Sequence, residues 1–255
     1  MKKILYLLAL IPLFTSAQNF KGKITYEENR KLDIKLDGGG IDDEILKHLP
    51  KNQTAQFELL FNPEESLYRL DQSKKEDEPS AIINSHEAQI EFKIDNTNAD
   101  NATYHDIKKE KVVEKRDFLG RTFLIKDQIE KQAWKITTDT KDILGYTCQK
   151  ATYTQDSTEI TAWYTTQIPL PIGPSKYTGL PGAVLEVSID NGEVTYTANS
   201  LDLSSDYSDE IIAPKKGKEV SREEFNTIRD EKLKEMEEEF GGGHGGGTRV
   251  IIQKQ

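Results

Sequence analysis

This sequence is poor in the residues that usually announce a chemistry. It holds one cysteine, Cys148, so no internal disulfide is available and stability must come from packing. Cys148 alternates with Tyr146 in a strand-like stretch, as a small buried apolar residue would. Of its four histidines, His48, His86 and His105 are scattered without metal-ligand spacing. No Gly-x-Ser-x-Gly elbow, His-Glu-x-x-His helix or glycine-rich phosphate loop is present, which excludes the enzymes legible from those motifs. No motif names a cofactor. Clustered cations are lacking too: 34 Lys+Arg stand against 44 Asp+Glu, for a net charge of −10. Phosphate backbones need clustered cations, so no nucleic-acid partner is expected. Beyond residue 17 no run is apolar enough to anchor the chain in a membrane.

What is present begins with an export signal. Lys2 and Lys3 form a positive start, Ile4 to Phe14 an apolar stretch broken only by Pro12, and Thr15-Ser16-Ala17 a small-residue cleavage site. The apolar run is shorter than the roughly 20 residues a spanning helix needs. Residues 1–17 are therefore expected to be a signal peptide, with the mature chain starting at Gln18. No cysteine follows the cleavage site, so a lipid anchor is not expected.

Downstream the dominant period is two, the signature of half-buried strands. Lys23 to Glu27 and Ala55 to Phe61 alternate, an Asn62-Pro63 turn follows, and Ser66 to Leu70 reads as a return strand. From Thr103 to about residue 203 strands come in close succession. Two hairpins are marked: Thr147–Gln155 with Glu159–Thr166 across Asp156-Ser157-Thr158, and Ala183–Asp190 with Glu193–Ala198 across Asn191-Gly192. Helices are few. A short one is expected over Asp42–Leu49 and a clear one over Arg222–Phe240, with Ser221 as N-cap, Glu224 completing a capping box, and Val220 stapled to Phe225. The fold class is mainly β (α+β): a single curved antiparallel sheet packed with one or two helices. The expected divisions are an antiparallel β domain over 18–240 including the helix, a glycine linker over 241–247, and a last strand within 248–255.

One stretch carries a family resemblance. Lys141-Asp142-Ile143-Leu144-Gly145-Tyr146 is followed by Ala162-Trp163-Tyr164 and then by Tyr177-Thr178-Gly179-Leu180-Pro181-Gly182-Ala183-Val184. These residues resemble the GLPGLI family of exported bacterial proteins, with Ala183-Val184 standing where the family name has Leu-Ile. The resemblance extends to Gly22-Lys23-Ile24-Thr25-Tyr26 and to Pro214–Lys218. It implies a Gram-negative bacterium and a periplasmic, outer-membrane-associated or extracellular location, and it carries no catalytic residue over. The strand order is also similar to lipoprotein-carrier-like proteins, an analogy of fold alone.

Three surfaces are candidates. The loop from Ile168 to Gly182 holds four of the nine prolines, and Leu180-Pro181-Gly182-Ala183 suits a type II turn. Trp163, Tyr164, Tyr177, Leu180 and Pro181 could form an apolar binding rim there; a purely structural corner is the other reading. Glu238 and Glu239, with His244 beyond them, could hold a metal ion, or form a solvated helix end. Ser157 stands in a short Asp-Ser-Thr pattern that resembles a bacterial O-glycosylation acceptor, and equally an ordinary turn. Together these lead to an exported cell-envelope binding or accessory protein without catalytic activity. It would hold an apolar or amphipathic small molecule or dock on an outer-membrane protein. A metal-handling protein, and a hydrolase using Cys148 if that thiol is exposed, are the alternatives.

Overall fold

The alternating segments become strands because each can bury one face. The computed structural model describes residues 20–32, 34–37, 51–71, 73, 80–84, 89–93, 101–241 and 249–252. The expected leader over 1–17, the expected helix over Asp42–Leu49 and glycines 242–247 lie outside the described residues.

The strands are β1 (Gly22–Lys31), β2 (Ile34–Asp37), β3 (Asn52–Phe61), β4 (Glu65–Leu70), β5 (Ser80–Asn84), β6 (Gln89–Lys93), β7 (Ala102–Asp106) and β8 (Lys111–Phe118). They continue with β9 (Arg121–Gln128), β10 (Lys135–Ile143), β11 (Tyr146–Gln155), β12 (Thr158–Thr165), β13 (Ala183–Ile189), β14 (Val194–Asp202), β15 (Lys218–Val220) and β16 (Arg249–Ile252). Twelve of them form one sheet in the order β10-β11-β12-β13-β14-β1-β3-β4-β7-β8-β9-β15. All its pairs are antiparallel except β15 on β9. That parallel strand was not foreseen, since its three residues follow a Pro/Lys-rich run with no alternating pattern. Two small ribbons, β16 with β2 and β5 with β6, complete the strands.

The sheet is curved, and its connectivity requires it. Strands β9 and β10 are consecutive in sequence but ten strand spacings apart in the sheet. A flat sheet would separate them by about 48 Å. The connector from Gln128 to Lys135 can reach at most about 25 Å. The two ends must therefore curl toward each other, and segment 129–134 bridges the opening.

The main core lies on the inner face. It includes Ile24, Tyr26, Leu59, Phe61, Ala151, Ala162, Val184 and Leu185, all buried. A second, smaller cluster lies at the far end, where Phe123 and Ile125 of β9 pack against Val220 and Phe225.

Helix α1 (Arg222–Gly241) starts as the sequence indicates. Ser221 Oγ accepts a hydrogen bond from the Glu224 N–H at 3.1 Å, and Glu224 Oε2 accepts one from the Ser221 N–H at 2.7 Å. Only the first turns pack on the sheet: Leu233 and Met236 remain 44% and 37% exposed. The packed apolar stripe ends at Ile228, because the step from Ile228 to Leu233 breaks the i, i+3, i+4 spacing.

Two turns differ from expectation. The β13–β14 pairing ends at Ile189 and Val194, so the loop has four residues rather than Asn191-Gly192 alone. Asp190, Asn191 and Gly192 are all left-handed there, with φ of 47°, 52° and 91°. The left-handed residue of the Gly-Leu-Pro-Gly stretch is Gly179, with φ of 85°, and not Gly182. Gly182 is demanded by contact instead, because a Cβ there would lie 2.0 Å from the Thr165 carbonyl oxygen.

Candidate functional site

The two apolar clusters share one face of the sheet, and the strip between them is polar. The register shows this directly. Tyr68, Thr103, Glu114 and Ile125 lie opposite one another across β4, β7, β8 and β9. The next row is Ser66, His105, Val112 and Asp127. On the other side Glu28 faces Tyr196 and Arg30 faces Val194. Strand β1 therefore runs inward as Ile24, Tyr26, Glu28, Arg30, apolar at one end and charged at the other. Strand β8 does the same with Val112, Glu114 and Arg116.

These inward charges are built into one another. Arg116 Nη2 lies 2.8 Å from Glu114 Oε2 and donates to Thr103 Oγ1 at 3.3 Å. Arg222, the first residue of α1, pairs with the other oxygen, Glu114 Oε1. Glu114 is buried between two guanidinium groups, which offsets the cost of taking its charge out of water. Burial lowers the pKa of both Arg116 and Arg222 from the usual arginine value. Arg30 Nη2 lies 3.1 Å from Glu28 Oε1.

Aromatic rings border this strip. Tyr68 stacks on Phe57 at 5.0 Å, Tyr68 meets Tyr196 edge-on at 6.5 Å, and Tyr196 meets Tyr177 at 5.6 Å. Burial raises the pKa of Tyr68, Tyr177 and Tyr196, so their hydroxyls stay protonated. Above the strip opens a trough of about 960 Å³. Its floor includes Arg30, Glu114, Arg116 and Tyr196, and its rim the hairpin tip at Asp156 and Thr158 and the helix residues Arg222 and Arg229. A smaller cavity adjoins it at His105. The trough offers hydrogen-bond donors and acceptors of both signs beside tyrosine rings. That is the equipment for a polar, hydroxyl-rich ligand rather than an apolar one.

The residues singled out in the sequence are dispersed. Tyr177 is buried and lines the trough. Leu180 and Tyr164 are buried in the main core, and the Tyr164 hydroxyl donates to Gln149 Oε1 at 3.0 Å. Trp163 is half-buried beneath Lys141, whose ammonium stands 4.5 Å from the ring centroid. Pro181 is exposed. These five do not form one rim, because the loop turns its apolar side chains into the core. Ser157 is exposed at its hairpin tip, where Asp156 and Ser157 both have positive φ. Glu238 is exposed with Lys234 3.9 Å away, the side chain of Glu239 is not among those described, and His244 lies outside the described residues. Among the described residues no three His, Cys, Asp or Glu side chains gather to hold a metal ion. Cys148 is buried, and burial pushes its thiol up to about 11, so it is not the exposed nucleophile a hydrolase would need. Sequence reading passed over Glu28, Arg30, Glu114 and Arg116, and weighed His105 only as a metal ligand. Their signal was available: each continues the inward phase of a strand with a polar or charged residue.

Comparison with known proteins gives the chain its kin. Two solved structures of PNGF-II, in the C2 and P21 space groups, match with a TM-score of 0.53 each, at 20% and 19% identity. Each match covers 82% of this chain and 32% or 33% of the other, so the chain spans about a third of the length of those structures. At that identity they show a shared fold. Among curated proteins none matches. No described helix is long and apolar enough to cross a membrane. The family model "N-glycanase peptide, N-terminal domain" (PNGase F-II) matches residues 72–227. This family match overturns the expectation of a binding protein without catalytic activity. The chain belongs to the N-glycanase N-terminal domain family.

Proposed function

We propose that this chain is a glycosidase-associated domain that seats the carbohydrate of an Asn-linked glycan in the polar trough. The observation that carries the reading is the Arg116–Glu114–Arg222 set, a buried carboxylate between two part-exposed guanidinium groups on the polar strip of the inner face, opening into a cleft bordered by tyrosines. A charged network in such a place is costly to maintain without use. Sugars present hydroxyls around an apolar ring face, and a tyrosine offers the matching pair, a flat apolar body and a hydroxyl. Family membership supplies the class of ligand. We also propose that the chain is exported, with residues 1–17 as leader. The Gly179–Gly182 stretch, read as a GLPGLI-type signature, would act as the rigid corner that carries Tyr177 to the trough.

The test is calorimetric titration of the mature chain with a free high-mannose N-glycan. Saturable binding is expected, weakened roughly five-fold in Tyr196→Phe, which removes one hydroxyl and keeps the ring. Absence of heat from folded protein would overturn the proposal.

A further inference from the structure

We infer that the smaller cavity beside the trough is a subsite for one neutral, hydroxyl-bearing sugar ring, recognised by His105 and Gln132; this rests on the carbohydrate reading above. The cavity has a volume of about 310 Å³, at the small end for ligand sites and suited to one ring rather than a chain. Ile107, Ile129 and Pro171 give it apolar wall, and His105, Gln132 and Thr178 its polar groups.

Two buried polar atoms mark it. His105 is 4% exposed, and its Nδ1 has no protein partner. Gln132 donates through Nε2 to the Lys176 carbonyl at 2.9 Å, while its Oε1 has no protein partner. Buried polar groups are ordinarily hydrogen-bonded, and leaving one unmade is expensive. Two in one cavity are accounted for by a ligand that supplies hydrogen bonds.

The chemistry of that ligand follows from charge. Burial holds the His105 pKa down at about 4, so the ring is neutral at physiological pH, with one nitrogen donating and one accepting. A hydroxyl, which both donates and accepts, complements it. The charged groups lining the cavity are Glu110, Glu130 and Lys131. Lys131 is already paired with Glu110 at 2.9 Å, so the cavity offers an anion no unengaged cation.

The subsite and the trough share His105, Ile129 and Glu130. A glycan lying in the trough can therefore place one of its rings in the cavity.

The experiment titrates wild type, His105→Leu, His105→Asn and Ser66→Val with the high-mannose glycan, following heat and the ¹⁵N shift of the His105 ring. Ser66 is buried in the cavity wall as the cross-strand neighbour of His105, so its valine variant narrows the cavity while keeping the imidazole. Thermal unfolding first establishes which variants are folded. Expected are a shift of His105 Nδ1 on saturation, affinity lowered roughly five- to fifty-fold in His105→Leu and in Ser66→Val, and partial recovery in His105→Asn. Equal affinity in wild type and the folded variants, with an unmoved Nδ1 signal, would overturn the subsite and leave the trough reading standing. No binding of the glycan to wild type would overturn both.

Discussion

His105 shows how one buried residue couples stability to pH. Its imidazole is held neutral by burial, with a pKa near 4 in the folded chain against 6.5 in the open one. Between those values the unfolded chain binds a proton that the folded chain refuses, so stability rises with pH across the window. It is complete above about pH 6.5 and is lost as pH falls toward 4. The span corresponds to about 3 kcal/mol. Urea unfolding at pH 7 and pH 4 is expected to show a pH dependence smaller by about that amount in His105→Asn; equal slopes would refute it. Two glycines of one motif make the opposite kind of contrast. Gly179 is needed for its φ of 85°, so Gly179→Ala is expected to cost roughly 1 kcal/mol. Gly182 is needed because the Thr165 carbonyl occupies the place of a side chain, and Gly182→Ala is expected to cost about 3 kcal/mol. Thermal melts of the pair decide it. Sequence alone placed a type II turn here and assigned the positive φ to Gly182. Nothing local to the motif reveals that β12 passes behind it.

At the level of elements, what was legible is what local chemistry determines. The hairpin expected across Asp156-Ser157-Thr158, which forms with Thr158 already in β12, the strands around it and the start of α1 follow from alternation and from Ser221 with Glu224. Ser221→Ala is therefore expected to lower stability by about 1 kcal/mol. Leu233→Ala, on the exposed half of the helix, is expected to change it by less than about 0.5 kcal/mol. Equal losses in chemical denaturation would mean that the second half of α1 has a partner. The site was less legible for a physical reason. Its members come from β1, β7, β8 and α1, and a polar residue in an inward phase reads like the end of a strand. Glu28 after Tyr26 and Glu114 after Val112 are such places. The Pro/Gly loop attracted attention because its composition is unusual. Its Ile168, Ile172 and Leu180 are buried, and Tyr177 alone of its singled-out residues reaches the trough.

The whole molecule depends on a closure that no single element contains. Segment 129–134 joins β10, at one edge of the twelve-stranded sheet, to β9, the strand next to the other edge, and it is fastened at several points. Gln132 Nε2 donates to the Lys176 carbonyl at 2.9 Å, Trp134 Nε1 donates to the Thr178 carbonyl at 3.0 Å, and the Trp134 ring meets Tyr153 at 4.6 Å. These contacts hold the strap against the same loop that carries Tyr177 and Gly179, so they set the shape of both cavities together. Trp134→Phe keeps a ring against Tyr153 but leaves the Thr178 carbonyl without its donor, which is expected to cost about 1 kcal/mol. Trp134→Ala removes both contacts and is expected to cost roughly 3 kcal/mol. The local signature separates a strap from ordinary core. Amide hydrogen exchange should quicken over 129–134 and 176–179 in both variants, while β1, β3 and the first turn of α1 keep wild-type protection. If exchange instead rises evenly across the sheet, Trp134 is simply part of the core. If it stays local, the curl of the sheet persists without the strap, and the strap's role is to shape the mouth of the trough.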